Sequence, residues 1–235
     1  MKYGLLTMSL AASLTASPSY EPTSHYETDH LVGWNLLVNR RLIRNEPTVH
    51  QQTLALLQDK LGELNTVLPE HAKRKIHKVP IWIELDNDNY YPCICYHASR
   101  RWLTRNGFNP DKERSVEICN ATRLMRWIHT QPWILLHEMA HAYHHQVLGR
   151  KEPRIQAAYE WALNSRRYDS VQRYNGSWER HYGLTNPREY FAESTEAYFG
   201  VNDYFPFSRK ELLSHDPKMY RLLEDIWGTP RRVTE

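Results

Sequence analysis

The spacing of apolar residues along the chain predicts both helices and strands. Leucines repeat every three or four residues over positions 48–67, which is typical of the inner face of a helix: Leu54, Leu57, Leu61 and Leu64. Short or alternating apolar runs predict strands at residues 33–43, 80–85 and 115–119. Further helical repeats cover residues 120–128, 155–167, 209–215 and 217–227. This mixture of helices and strands predicts an α+β fold.

One further helix combines an apolar face with a distinctive set of polar residues. Pro132 suits a first helical position and Gly149 suits the position after the helix ends. Between them lies the sequence HEMAH. Because residues four apart share a helix face, His137 and His141 can present two imidazole nitrogens to one zinc ion. Glu138 is placed beside them to take a proton from an attacking water as a general base.

A catalytic zinc site needs a third protein ligand and one open position. The tenth residue after His137 is Val147, which excludes a third histidine at that spacing. The remaining route is a carboxylate from another helix, where Glu189, Glu193 and Glu196 fall on one face. We expect Glu189 to bind the metal, with Glu193 as its competitor. The glutamate one turn after the ligand is then expected to accept the second N–H of a ligand histidine.

Each of these residues also has an ordinary structural interpretation. The two histidines of the HEMAH sequence could be half-buried groups with routine hydrogen bonds. Asn186 and Pro187 suit the start of a helix, where the dipole would favour Glu189 without any metal. His144 and His145 follow too closely on the same helix to complete a tetrahedral site, so we expect them to be surface or supporting residues.

The segments HEMAHAYHH and YGLTNPREYFAESTEAYF together resemble the anthrax lethal factor-like metallopeptidases, within the gluzincin group of zinc peptidases. The resemblance is dense over residues 132–199 and weak before residue 79. It implies a zincin-like fold with a small mixed sheet, and a peptide or protein substrate. It also implies one zinc ion per chain and the following site residues: ligands His137, His141 and Glu189, base Glu138, supporting Glu193 and transition-state residue Tyr182.

Two groups of residues outside the metal helices are further candidates for the site. A phenol such as Tyr182 near the metal can stabilise the negative charge that develops on a peptide carbonyl oxygen, although it could equally be a packing aromatic. The resemblance to zincins implies that the strand before the metal helix borders the cleft. Val116, Glu117 and Ile118 are therefore candidates to pair with an extended peptide substrate.

Composition and charge are consistent with a small secreted enzyme. The 235 residues, 41% of them apolar, suit one catalytic domain at 33–235 after a polar lead at 18–32. Residues 1–17 resemble a signal peptide, with a disordered tail as the alternative. No apolar run is long enough to span a membrane. With a net charge of +3 and scattered basic pairs, nucleic acid is not an expected partner. Oligomeric state is not predicted.

The chain contains three cysteines, Cys93, Cys95 and Cys119. In an oxidising compartment we expect one disulfide, joining Cys93 or Cys95 to Cys119. No CxxC pair is present, so the cysteines are not predicted to bind metal, and the neighbouring His97 is expected to be structural.

The sequence therefore predicts a secreted zinc peptidase. Two alternatives stay open: a catalytically inactive, zinc-stabilised binding or inhibitory protein, and a metal-dependent hydrolase acting on a substrate other than a peptide.

Overall fold

The computed structural model describes residues 20–87 and 94–230. These residues form a mixed α+β structure with one five-stranded sheet, which confirms the predicted α+β class. The predicted signal peptide and Cys93 lie outside the described residues. Among the residues that are described, no helix is both long and apolar enough to cross a bilayer.

The sheet has mixed topology, with the strand order β1-β2-β3-β5-β4. Its strands are β1 (Tyr26–Leu31), β2 (Trp34–Asn39), β3 (Ile81–Ile83), β4 (Ile94–Tyr96) and β5 (Val116–Ile118). The three inner strands are parallel, whereas β1 and β4 run antiparallel to their neighbours. A separate small hairpin is formed by β6 (Val171–Gln172) and β7 (Trp178–Glu179). The strand β4 therefore lies at one edge of the main sheet.

Ten α-helices lie within the described residues. They are α1 (Arg40–Asn45), α2 (Pro47–Val67), α3 (Glu70–Ile76), α4 (Arg100–Arg105), α5 (Ala121–Trp127), α6 (Ile134–Tyr143), α7 (Pro153–Ser165), α8 (Pro187–Phe199), α9 (Arg209–His215) and α10 (Pro217–Trp227). A π-helical turn, His144–Leu148, extends α6. Short 3-10 turns occupy Thr23–His25, Pro110–Lys112 and Tyr182–Thr185.

Aromatic packing against the last helix fixes the two helices that carry the predicted metal ligands. The indole of Trp227 on α10 stacks on Phe191 of α8, with ring centroids 5.8 Å apart and planes 10° apart. The same indole lies 4.1 Å from the ring of Tyr143, the last residue of α6. All three side chains are buried. Helices α6 and α8 are therefore held together by a shared aromatic contact as well as by their own apolar faces.

Several predicted elements agree with the structure, and others require correction. The helix at 48–67 and the two C-terminal helices are confirmed, with Leu57, Leu61 and Leu64 buried and Leu54 partly buried. The predicted strand at 33–43 ends at Asn39, because the Asn39 side chain accepts a hydrogen bond from the amide of Arg41 and caps α1. Pro132 precedes α6 by two residues instead of beginning it.

The predicted domain boundary at Gly33 is wrong. Residues 26–31, assigned to a polar lead, form β1 and pair along their whole length with β2. Only Tyr26 of this strand is buried, since β1 lies at the edge of the sheet and exposes most of its side chains to solvent. A strand with so few apolar positions carries no alternating pattern, which is why its sequence resembles a polar lead.

Candidate metal centre

The local sequence of α8 places Glu189 in the first turn of that helix. Pro187 is the first helical residue, and the Asn186 side chain accepts hydrogen bonds from the amides of Arg188 and Glu189, at 3.0 and 3.2 Å. The prediction that Asn186 and Pro187 begin this helix is therefore confirmed. This helix start fixes the backbone that carries the Glu189 carboxylate towards α6.

The structure brings together the three predicted metal ligands. Glu189 Oε2 lies 3.1 Å from His137 Nε2 and 3.1 Å from His141 Nε2. Nitrogen and oxygen ligands of a tetrahedral zinc, at about 2.0–2.1 Å from the metal, lie about 3.3 Å from one another. Since both distances fall close to this value, the three atoms surround a point where a zinc ion fits with only a small outward movement.

Burial and hydrogen bonds among the predicted ligands and Glu196 shift the pKa values at this centre. Burial alone would lower the pKa of His137, but hydrogen bonds to Glu189 and Glu196 outweigh it and raise that pKa well above its ordinary value. Burial alone would raise the pKa of Glu189, but its hydrogen bonds to His137 and His141 outweigh burial and lower that pKa. The carboxylate is thus charged and directed at the two imidazoles, which suits a metal ligand.

The residue that supports the first histidine is Glu196, not Glu193 as predicted. Glu196 Oε1 lies 2.7 Å from His137 Nδ1, whereas the nearest oxygen of Glu193 lies 3.6 Å away, beyond hydrogen-bonding distance. Both carboxyl groups are buried. Burial and the neighbouring Glu196 carboxyl hold the pKa of Glu193 well above its ordinary value. A hydrogen bond to Nδ1 orients the ring so that Nε2 faces the metal position.

This correction leads to a testable difference between two glutamates on the same helix. We expect Glu196→Gln to lower zinc affinity by about 10- to 100-fold, because the carboxyl group that orients His137 is replaced by an amide. The matched variant Glu193→Gln removes no direct contact to that ring, and its zinc affinity should stay within about threefold of wild type. Competition titration with a chromophoric chelator measures both. A larger loss for Glu193→Gln would restore the original assignment, and equal losses would contradict the distinction between the two glutamates.

The predicted general base lies in the same cleft as the predicted metal ligands. Glu138 is buried, with 7% of its surface exposed, and its Oε2 accepts a hydrogen bond of 2.7 Å from the backbone amide of Tyr96 on β4. Burial raises the pKa of Glu138 above its ordinary value. A carboxylate with a raised pKa is a better proton acceptor near neutral pH. The sequence carries no signal for the Tyr96 contact, since it comes from a backbone group.

Tyr182 lies in the same cleft, with 47% of its surface exposed. It begins the 3-10 turn that precedes α8, so the chain delivers it to the cleft immediately before Glu189. Partial burial and then the nearby Glu189 carboxylate raise the pKa of the phenol, which keeps it in its protonated, hydrogen-bond-donating form.

The prediction that Val116, Glu117 and Ile118 form the open edge of the cleft is wrong. These residues form β5, which is paired with β3 on one side and β4 on the other, so it has no free edge for a peptide. The edge strand is β4, and its residues Ile94–Tyr96 line the cleft. The sequence did not indicate this strand, because its pairing with β5 defines it and no alternating apolar pattern extends around it.

The cleft has a volume of about 1210 Å³ and contains the three predicted metal ligands, Glu138 and Tyr182. The two extra histidines after α6 support its wall. His144 is buried beside Phe191, and burial lowers its pKa to about 4, so it is neutral. His145 Nδ1 lies 2.8 Å from the hydroxyl of Tyr96 on the edge strand. Both positions agree with a supporting role.

The fold and site together define a mixed α+β protein with a candidate His₂Glu metal centre in an open cleft. Comparisons with protein-family models, with curated proteins and with solved structures each give no match.

Proposed function

We propose that this protein is a zinc-dependent peptidase with a zincin-like catalytic domain. One observation carries the proposal: Glu189 Oε2 lies 3.1 Å from Nε2 of both His137 and His141. This ligand set leaves a position for water, and Glu138 lies beside it in a cleft large enough for a peptide. The resemblance of the two metal helices to gluzincins supports the same function.

The proposed mechanism assigns each step to a residue of this chain. Zinc held by His137, His141 and Glu189 would supply Lewis-acid chemistry, activating water and polarising a carbonyl group. Glu138 takes the proton from the attacking water and later transfers it to the departing amine. The Tyr96 amide holds the Glu138 carboxylate in place for both transfers. The Tyr182 hydroxyl donates a hydrogen bond to the carbonyl oxygen as negative charge develops there.

The edge strand supports a peptide as the substrate. Strand β4 lies at the end of the sheet and lines the cleft, and within the described residues it pairs with β5 alone. An extended peptide could therefore add to its outer edge through backbone hydrogen bonds. This mode of binding requires an extended backbone and depends little on side-chain sequence. We therefore propose a peptide or an unfolded protein segment as the substrate, and we propose that the protein is secreted.

A peptide library provides the direct test of this function. The full chain without its first 17 residues is incubated with a proteome-derived peptide mixture, with and without a zinc chelator, and new peptide termini are read by mass spectrometry. We expect cleavage that the chelator prevents. Peptide binding without cleavage would instead indicate an inactive, zinc-stabilised binding protein. Hydrolysis of esters but not of peptides would indicate a different substrate class.

Tyr182 is expected to contribute to the rate but not to stability. We expect Tyr182→Phe to lower kcat by about 10²- to 10³-fold, the usual effect of losing one donor to a developing oxyanion, with a much smaller change in KM. Its melting temperature should be unchanged, because the side chain is 47% exposed. Tyr174→Phe is the matched control, since Tyr174 is similarly exposed but lies outside the set of residues that line the cleft. Wild-type kcat in Tyr182→Phe would assign this residue to packing.

A further inference from the structure

A second cluster of side chains of metal-ligating types lies at the edge strand, in a group distinct from His137, His141 and Glu189. Cys95 of β4 and Glu117 of β5 are direct partners across the two strands. His97 follows Cys95 by two residues, and Cys119 follows Glu117 by two residues. All four side chains are buried. Residues two apart along a strand share a face, so the pairing of β4 with β5 gathers these four side chains together.

Two distances within the cluster match those between ligands of one zinc ion. Cys95 Sγ lies 3.8 Å from Cys119 Sγ and 3.6 Å from His97 Nε2. On a tetrahedral zinc, with Zn–S about 2.3 Å and Zn–N about 2.0–2.1 Å, two sulfurs lie about 3.8 Å apart and a sulfur and a nitrogen about 3.6 Å apart. Both observed distances match.

Glu117 supplies the fourth donor. His97 Nε2 lies 2.5 Å from Glu117 Oε2, and this pair would need to separate by less than about 1 Å to reach the spacing of two zinc ligands. The ligand atoms of Cys95, Glu117 and Cys119 all lie within 4.8 Å of one another. Burial alone would raise the pKa of Glu117, but hydrogen bonding to His97 and the charge of Lys112 lower it to about 2. A charged carboxylate is therefore available.

The surrounding charges are compatible with a dication. Two thiols that bind one Zn²⁺ as thiolates release two protons, so the net charge of this buried cluster stays unchanged on metal uptake. The ammonium of Lys112 lies 2.6 Å from the other oxygen of Glu117 and helps to hold the carboxylate in place.

We propose that Cys95, His97, Glu117 and Cys119 form a second, structural zinc site. Its four protein ligands leave no open position, as in structural rather than catalytic zinc sites. The site would link β4 to β5 through Cys95 and His97, the two neighbours of Tyr96 in the chain. The backbone amide of Tyr96 donates the hydrogen bond to Glu138. The prediction that these cysteines do not bind metal depended on the absence of CxxC, whereas the relevant pattern is Cys-x-His on one strand and Glu-x-Cys on the next. This proposal does not depend on the peptidase activity.

A disulfide between Cys95 and Cys119 is the competing outcome. A disulfide requires a sulfur–sulfur distance of about 2.05 Å, and the two sulfurs lie 3.8 Å apart. The two outcomes differ chemically, because a disulfide leaves no thiolate at either position to bind a metal.

Cobalt substitution separates the second site from the catalytic centre. The chain is produced in cobalt-supplemented minimal medium and purified with a phosphine reductant under anaerobic conditions. Thiolate bound to Co²⁺ gives a near-ultraviolet charge-transfer band, which the sulfur-free His₂Glu centre cannot give. We expect this band together with two cobalt ions per chain. We expect Cys119→Ser to lose the band and one of the two cobalt ions, whereas Cys93→Ser, the thiol-matched control, keeps both.

The spectrum of the wild-type protein tests the second site even where a variant fails to fold. A folded, reduced wild-type chain that binds cobalt without the charge-transfer band overturns the proposal, and so does a Cys95–Cys119 disulfide that persists in protein purified with zinc. Loss of the band in Cys93→Ser but not in Cys119→Ser would likewise overturn it. A peptidase that lacks the band would leave the proposed function intact while this inference fails.

Discussion

Replacement of Glu138 by glutamine is expected to lower kcat for peptide hydrolysis by on the order of 10²- to 10⁴-fold, with zinc content and fold unchanged. Glutamine has nearly the same shape, and its amide oxygen can still accept the hydrogen bond from the Tyr96 amide. The group that takes the proton from water is nevertheless lost. Zinc content by mass spectrometry, melting temperature and kcat are measured on the same preparation.

A matched control exists within the same cleft. Glu152 also lines it, and its side chain is hydrogen-bonded to Arg154 at 2.7 Å, not to a group near the metal position. Glu152→Gln is expected to keep kcat within about threefold of wild type. Near-wild-type activity in Glu138→Gln would remove Glu138 from the role of general base, and an equal loss in both variants would point to a general effect of cleft charge.

Removal of zinc is expected to abolish peptide hydrolysis, and added zinc is expected to restore it, since the metal supplies both water activation and carbonyl polarisation. His141→Ala should not be rescued by zinc. Glu189 and His137 alone provide two of the three required protein ligands, which is too few for a stable site. Activity is followed with a peptide found in the library experiment.

His145→Ala is the control for the loss of a histidine near the metal centre. His145 lies four residues after His141 and is bonded to the Tyr96 hydroxyl instead of facing Glu189. We expect this variant to keep zinc and most of the activity. Zinc-independent hydrolysis in the wild type, or rescue of His141→Ala by zinc, would contradict the proposed ligand set.

The local parts of the candidate site could be predicted from sequence because their chemistry repeats at helical spacing. His137 and His141 share a face by their spacing alone, and Asn186 with Pro187 indicates where α8 begins. The choice between Glu193 and Glu196 could not be predicted, because both lie on the same face. Which of them meets His137 depends on the angle at which α8 crosses α6, and that angle is set by tertiary packing.

Strand predictions failed where tertiary pairing, rather than side-chain pattern, defines the strand. Strand β4 has three residues and is recognisable only by its pairing with β5. Because β4 pairs with the outer side of β5, β5 is an inner strand and not the predicted edge of the cleft. The same pairing also brought Cys95 beside Glu117, a proximity that sequence separation conceals.

The packing of Trp227 links the position of a predicted metal ligand to the C-terminal helix. Its indole stacks on Phe191 and donates a hydrogen bond of 3.2 Å to Thr195, so it holds the helix that carries Glu189. The geometry of the candidate metal centre therefore depends on an indole that is not itself among the predicted ligands.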